Sequence, residues 1–566
     1  MTNSKPLVAL PLLLLIVGCG PTRIEKERQR INAKGTLRAS DDGPRDEVPN
    51  WFTKSPVLDG VEGTQADRAY AQLNLRTDGA PVVVAVIDGG VDTTHEDLQG
   101  NLWVNEKEIP GNGIDDDQNG YVDDIHGWNF LGTVKNGQNL NIGPATLEST
   151  REVVRLKKLK ATREAEGKTL SAEEQTLFDK VSTENAQARA EMQRLKEDRT
   201  ATKTRFEADY PTLKEALGNK ELGEVTLDDL RAIQSADANV LKIRDALVEY
   251  AIEKKFTTMA RVISALDYAQ GQLEYYLNES FDPRADILGD DVTDFSNPHY
   301  GNPDVAGDDA SHGTHVAGII GAVRNNGKGI DGVATNVRIM ALRVVPNGDE
   351  YDKDIVHGVR YAVDNGARII NMSFGKGYSP YKPEVDKAFQ YAADHNVLII
   401  HSAGNESLNT DVTPTFPNSN LASNPSERIP GWIGVGASAA KLDLDLVADF
   451  SNYGKQSVEI FAPGVDILST VPYPTDQGHY DSYSGTSMAG PVTAGVAALV
   501  LSQRPELTAV QLRELLMTSA RTHIGFQVHL PTEMQSPIPE LTFFESLSVT
   551  GGIVDAFLAL STALGV

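Results

Sequence analysis

The run Pro81-Val-Val-Val-Ala-Val-Ile87 is continuously apolar and β-branched, and it ends in Asp88-Gly89-Gly90. A run of that kind predicts a strand buried on both faces, as in a parallel sheet. The same rhythm resumes after residue 311. Val337 to Val345 predicts a strand. Ile355, Val356, Val359, Ala362 and Val363 form one helical face that stops near Asn365-Gly366, and Arg368 to Met372 is the next strand. Val385, Ala388, Phe389, Ala392 and Ala393 mark another helix, followed by a strand over Val397 to Ser402. Strands and helices in alternation imply an α/β fold, a parallel sheet covered by helices.

Residues 146–285 break this alternation. The stretch is rich in Glu, Lys, Arg, Ala and Leu, which are good helix formers. Ser171-Ala-Glu-Glu174 and Thr226-Leu-Asp-Asp229 read as helix starts with reciprocal caps. Val181, Asn185, Ala188, Met192, Leu195, Arg199, Thr202 and Phe206 fall at alternating steps of four and three. Several of these seam positions are small, polar or charged, so a helical hairpin packing on itself or on the body is expected over a partner-binding coiled coil. The chain therefore divides into an α/β part over 51–145 and 286–566, with a helical insertion at 146–285.

The N-terminus adds a different element. Lys5 precedes the apolar run Leu7 to Val17, and Ile16-Val17-Gly18 places a small residue directly before Cys19. The run is too short to span a bilayer as a mature helix. Residues 1–18 resemble a bacterial lipoprotein signal, with Cys19 as the lipidated residue. Residues 19–50 are polar and read as a flexible tether. The expected placement is the bacterial cell envelope, facing the periplasm or exterior, with lipid at Cys19 as the only membrane contact. Cys19 is the one cysteine among 566 residues, which excludes an intramolecular disulfide. The formal net charge of −27 repels phosphate backbones, so nucleic acid is an unexpected partner. The same surface favours cations.

Four segments carry candidate chemistry. Asp88 ends a buried strand, where a carboxylate can face a cleft; read alone, such an aspartate is more often a turn or cap residue. His312 opens Ser311-His-Gly-Thr-His-Val-Ala-Gly318, where two histidines three apart could also ligate a metal. Ser487 lies in Ser484-Gly-Thr-Ser-Met-Ala-Gly-Pro491 at the start of a long apolar helix, a place that also suits a plain N-cap. Asn405 follows Ala403-Gly404 after a strand; it could donate to an oxyanion or simply form a turn.

Together with Val-Ala-Val-Ile-Asp88-Gly-Gly-Val-Asp92, these segments resemble the four signature regions of the subtilisin-like (subtilase) family, in the family's order Asp, His, Asn, Ser. The resemblance covers about residues 50–145 and 290–566. It implies a serine endopeptidase acting on protein or peptide substrates. Asp88, His312 and Ser487 would be the triad and Asn405 the oxyanion donor. It further implies that Ser373, Phe374 and Gly375 pair with substrate main chain and, with Ala403 and Gly404, line the S1 region. Gly89 stands where the family usually has Ser or Thr, and Gly490 where it commonly has Ala. His312 follows Asp88 by 224 positions, far more than in a compact subtilisin. A tethered binding protein with an obstructed cleft is the alternative from another class, and the intact triad argues against it.

Asn112 to Asp124 places oxygen groups at Asp115, Asp117, Asn119, the Tyr121 carbonyl and Asp123, with Gly120 at the sixth position of an EF-hand-like spacing. His126 stands at the twelfth position, where Asp124 could substitute. Structural calcium is expected here; the other reading is an acidic surface turn. Asp304, Asp308 and Asp309 are expected to be solvated or to support the start of the His312 helix.

Overall fold

A computed structural model of the chain describes residue 48 and residues 50–76, 78–254, 258–475, 477–532 and 540–566. The signal segment, Cys19 and nearly all of the expected tether lie outside the described residues. The chain forms two compact units. Among the described residues, one contains those within 48–148 and 282–566; the other contains those within 149–281.

The first unit is organised by a nine-stranded sheet. Its strands are β1 (Val82–Asp88), β2 (Gly127–Asn129), β3 (Val337–Arg343), β4 (Ile369–Met372), β5 (Leu398–Ser402), β6 (Trp432–Ser438), β7 (Ile460–Pro463), β8 (Arg521–Thr522) and β9 (Gly552–Ile553). Across the sheet the order is β8-β9-β7-β6-β5-β4-β1-β3-β2. Every neighbouring pair is parallel except β8–β9.

The apolar run before Asp88 becomes β1, between β3 and β4. Val84, Ala85, Val86 and Ile87 are all fully buried. Their side chains alternate between two cores, as strand periodicity requires. Val84 and Val86 join the core that includes α1 (Ser311–Gly321) and α4 (Thr486–Gln503). Ala85 and Ile87 join the core that includes α2 (Asp352–Asp364) and α3 (Lys382–Asp394). Burying an aliphatic side chain of that size contributes about 1.5–3 kcal/mol, so a polar substitution at Ile87 would disrupt the layer beneath Asp88.

The strand expected over Val337 to Val345 stops at Arg343. Beyond it, the backbone N–H groups of Val344 and Val345 both donate to the Asp88 carbonyl, at 3.0 and 3.2 Å. The sheet thus ends by closing around the residue after which β1 turns away. β3 and β4, consecutive in the chain, lie on either side of β1, so strand order reverses there, the kind of place where the C-terminal strand ends of an α/β sheet leave a crevice.

The second unit is helical. Ser171 and Thr226 both carry reciprocal caps, with Glu174 and Asp229. The heptad-spaced seam lies on a single 42-residue helix, Ala172–Leu213. Val181, Asn185, Met192, Thr202 and Phe206 are buried along it. The polar members are satisfied locally. Asn185 donates to the Thr150 hydroxyl at 2.7 Å, and Thr202 donates to the Asp198 carbonyl at 2.9 Å. Phe206 and Leu213 pack with Leu230, Leu247, Met259 and Val262 from the following helices. The C-terminal end of the seam is therefore covered by the unit's own helices.

Candidate active site

Asp88 and His312 meet at the C-terminal end of β1. The Nδ1 of His312 lies 2.8 Å from Oδ1 of Asp88, which also accepts from the Gly89 N–H at 2.7 Å. Both side chains are buried. His312 is in the first turn of α1, whose start Asp309 supports by accepting from the Ser311 N–H at 3.0 Å. Asp304 serves a different place, accepting from Asn141 and the Gly307 N–H. The approach of α1 to β1 needs Gly313. A Cβ there would stand 2.2 Å from the Gly90 carbonyl oxygen and 3.2 Å from the Asp88 Cβ. Gly90 is in the left-handed region at φ 135°, and its own Cβ would meet the Ala306 carbonyl at 2.3 Å. At Gly89, where a hydroxyl residue is common in the family, Oδ2 of Asp88 has no hydrogen-bond partner among the described residues.

His315, three residues on, is fully buried, stacks on Tyr483 at 4.2 Å, and has Nε2 3.1 Å from the Asp481 carbonyl. Burial holds its imidazole down at about 3, so it stays neutral and structural.

Ser487 is in the first turn of α4, which packs against α1. Its hydroxyl donates to the Ser373 carbonyl at 3.1 Å. Ser373 answers by donating its own hydroxyl to the Ser487 carbonyl at 3.0 Å, while Asn371 donates to that hydroxyl. The Ser373 side chain therefore braces the helix of Ser487. Gly490 is explained by the same cluster: a Cβ would stand 2.8 Å from the Ser402 Oγ.

Asn405 accepts through Oδ1 from the Thr486 N–H and hydroxyl, at 2.8 and 2.9 Å. Spending the oxygen on Thr486 leaves the amide nitrogen as the donor end, beside Gly485. Phe374, Gly375, Ala403 and Gly404 line one pocket together with Asn405 and Ser487. Six further lining residues had no role assigned from the sequence: Lys376, His401, Ser402, Glu406, Thr415 and Thr486. All but Thr415 stand within two residues of an assigned one, so adjacency was the available signal. His401 donates from Nε2 to the Phe374 carbonyl at 2.8 Å, and burial lowers its imidazole to about 4. Burial raises the Glu406 carboxyl above its usual range, against an opposing bond from Asn452.

The acidic loop folds differently from the expected ligand set. Asp115 and Asp117 come together, but the third member is Glu108; one oxygen from each lies within 4.8 Å of the others. Asp123 instead accepts from the N–H groups of Asn112 and Gly113. Asp124 is fully buried and accepts from Tyr361, Asn105 and Asn119. Asn119 also accepts from the Tyr121 N–H, so its side chain is engaged away from the trio. The backbone turn sets this arrangement: Glu108 caps Asp116, Asp117 and Asp123 from outside the motif. Hard oxygens at this spacing fit calcium or magnesium and not zinc.

The family model described as "Subtilase family" matches residues 79–196 and 203–540. The chain is 37% identical over 237 residues to the cell wall-associated protease of Bacillus subtilis (strain 168), covering 42% of this chain and 24% of that protein. It is 37% identical over 222 residues to subtilisin NAT of Bacillus subtilis subsp. natto, covering 38% of this chain and 52% of the relative. The same identity and span relate it to subtilisin of Bacillus pumilus, of which 72% is covered. The chain thus spans from a quarter to about half the length of the first two relatives.

Proposed function

The chain belongs to the subtilase family, and from that premise we propose that it is a serine endopeptidase hydrolysing protein or peptide substrates. The observation that carries the reading is the Asp88–His312 hydrogen bond, made on a helix that packs against the one whose first turn holds Ser487. Attack requires the Ser487 hydroxyl to exchange its bond to the Ser373 carbonyl for one to His312 Nε2. His312 then takes the hydroxyl proton as Ser487 Oγ bonds the scissile carbonyl carbon, and Asp88 stabilises the imidazolium. The negative charge on the former carbonyl oxygen meets the Asn405 amide nitrogen and the Ser487 backbone N–H. Collapse gives an acyl-enzyme and a leaving amine that takes its proton from His312; water reverses the sequence. The substrate chain lies along Ser373, Phe374 and Gly375, with its P1 side chain in the pocket between Phe374–Gly375 and Ala403–Gly404.

Calcium held by Glu108, Asp115 and Asp117 would offset most of the charge of the three carboxylates and stiffen their loop. It takes no part in the reaction. The signal-like segment before Cys19 supports placement in the bacterial cell envelope by a lipid at that cysteine. No helix among the described residues is long and apolar enough to cross a membrane. The test of the function is hydrolysis of casein and a peptide library by the wild type and by Ser487→Ala. Loss of turnover in the variant is expected, and undiminished turnover rules the mechanism out.

A further inference from the structure

Asp352, Lys353 and Asp354 open α2, and all three are buried. Buried charges persist when they are paired and hydrogen-bonded. Lys353 reaches Asp290 at 2.6 Å, and Asp354 holds Arg284 through two bonds of 2.7 and 2.8 Å. Asp352 lies 2.7 Å from the ammonium of Lys376. Lys376 is 1% exposed, and its ammonium also donates to Glu148 at 2.8 Å and to the Glu350 carbonyl at 2.9 Å. Glu148 begins the helix Glu148–Ala165, through which the chain leaves the catalytic unit.

Lys376 directly follows the Ser373-Phe374-Gly375 edge and shares the pocket with Phe374 and Gly375. Its backbone is fixed as well. The Lys376 N–H donates to the Phe416 carbonyl at 2.7 Å, and its carbonyl accepts from the Phe416 N–H at 2.9 Å. A substrate strand pairing with this edge loses less entropy, and is aligned better, when the edge is already immobile. The geometry points to Lys376 as a positioning residue for the substrate edge, clamped by Glu148 and Asp352. The inference rests on the protease reading. Removing Lys376 would strand two buried carboxylates, so the informative change is on an acid.

The test compares wild type with Glu148→Gln and Glu148→Asp. In Glu148→Gln, KM for a peptide spanning four subsites should rise about tenfold, with kcat little changed, because the edge loses alignment and not chemistry. Turnover of nitrophenyl acetate, which does not occupy the edge, should stay at the wild-type level. Glu148→Asp should recover part of the peptide KM. Amide exchange over residues 373–376 should quicken in Glu148→Gln, a readout that needs no turnover. Equal losses on ester and peptide, a wild-type peptide KM, or unchanged exchange would overturn the proposal. A wild type that hydrolyses neither substrate would defeat the protease reading alone, while exchange still decides the clamp. If Glu148→Gln does not fold, Asp352→Asn removes the other carboxylate and carries the same expectations.

Discussion

The imidazole of His312 and the carboxylate of Asp88 are 2.8 Å apart in space and 224 positions apart in the chain. They meet because each sits at the end of an element fixed within one unit: Asp88 at the tip of β1, His312 in the first turn of α1. The chain leaves that unit after Glu148 and re-enters at Asp282, so the helical unit interrupts the sequence without entering the sheet.

The closeness of α1 to β1 makes Gly313 a sharp test. Gly313→Ala places a methyl 2.2 Å from the Gly90 carbonyl oxygen, so backbone must move. A destabilisation of about 1–3 kcal/mol is expected, with a loss of peptide turnover as His312 shifts. Gly223→Ala, where nothing lies within 4 Å, is the control and should stay within about 0.5 kcal/mol of wild type. Denaturant melts of both variants check this.

Asn405→Asp keeps an oxygen for Thr486 but replaces the amide donor. Loss of one oxyanion donor predicts a fall in kcat of about 10²–10³-fold with KM nearly unchanged. Steady-state kinetics on a peptide amide measure it; a kcat within twofold of wild type contradicts the role.

Acid should destabilise the catalytic unit through its buried histidines. His401 is held neutral, near 4 against an ordinary value of 6.5. The unfolded chain binds the proton more tightly, so this stability is fully present above pH 6.5 and is lost as pH falls toward 4. The loss from His401 amounts to about 3 kcal/mol. His315 acts in the same direction. Urea melts at pH 7.5 and 4.5 read the effect, and His401→Gln, which can still donate to Phe374, should flatten the difference.

Chelation should lower the melting temperature. A site saturated at about a hundred times its Kd contributes about 2.7 kcal/mol, and that amount should vanish in excess chelator. Glu108→Gln should reduce this sensitivity. A wild-type melt unchanged by chelator, with no bound ion detected, contradicts the calcium reading.

The parts of the fold that were legible in the sequence are those written in local pattern. A continuous apolar run marked β1, because a parallel strand is buried on both faces, and short apolar stretches alternating with helical faces marked β3 to β5. Short motifs marked Asp88, His312, Asn405 and Ser487, because each needs particular neighbours, such as Gly313 and Gly485, to reach its place. Glu108 was not legible, since it joins Asp115 and Asp117 through a backbone turn that no spacing rule encodes. The burial of Asp352-Lys353-Asp354 was not legible either, since it depends on partners at Asp290, Arg284 and Lys376, distant in sequence. The bond from the Ser373 side chain to the Ser487 carbonyl was not legible in the motif that marked Ser373.

The central claim is that Ser487 is a nucleophile activated by His312 and Asp88. Its most direct measurement is labelling with a fluorophosphonate, followed by peptide mapping of the modified site. The account predicts one label per chain, on Ser487, abolished in Ser487→Ala and strongly slowed in His312→Ala. A folded wild-type chain that stays unlabelled, or a label on another residue, would contradict it.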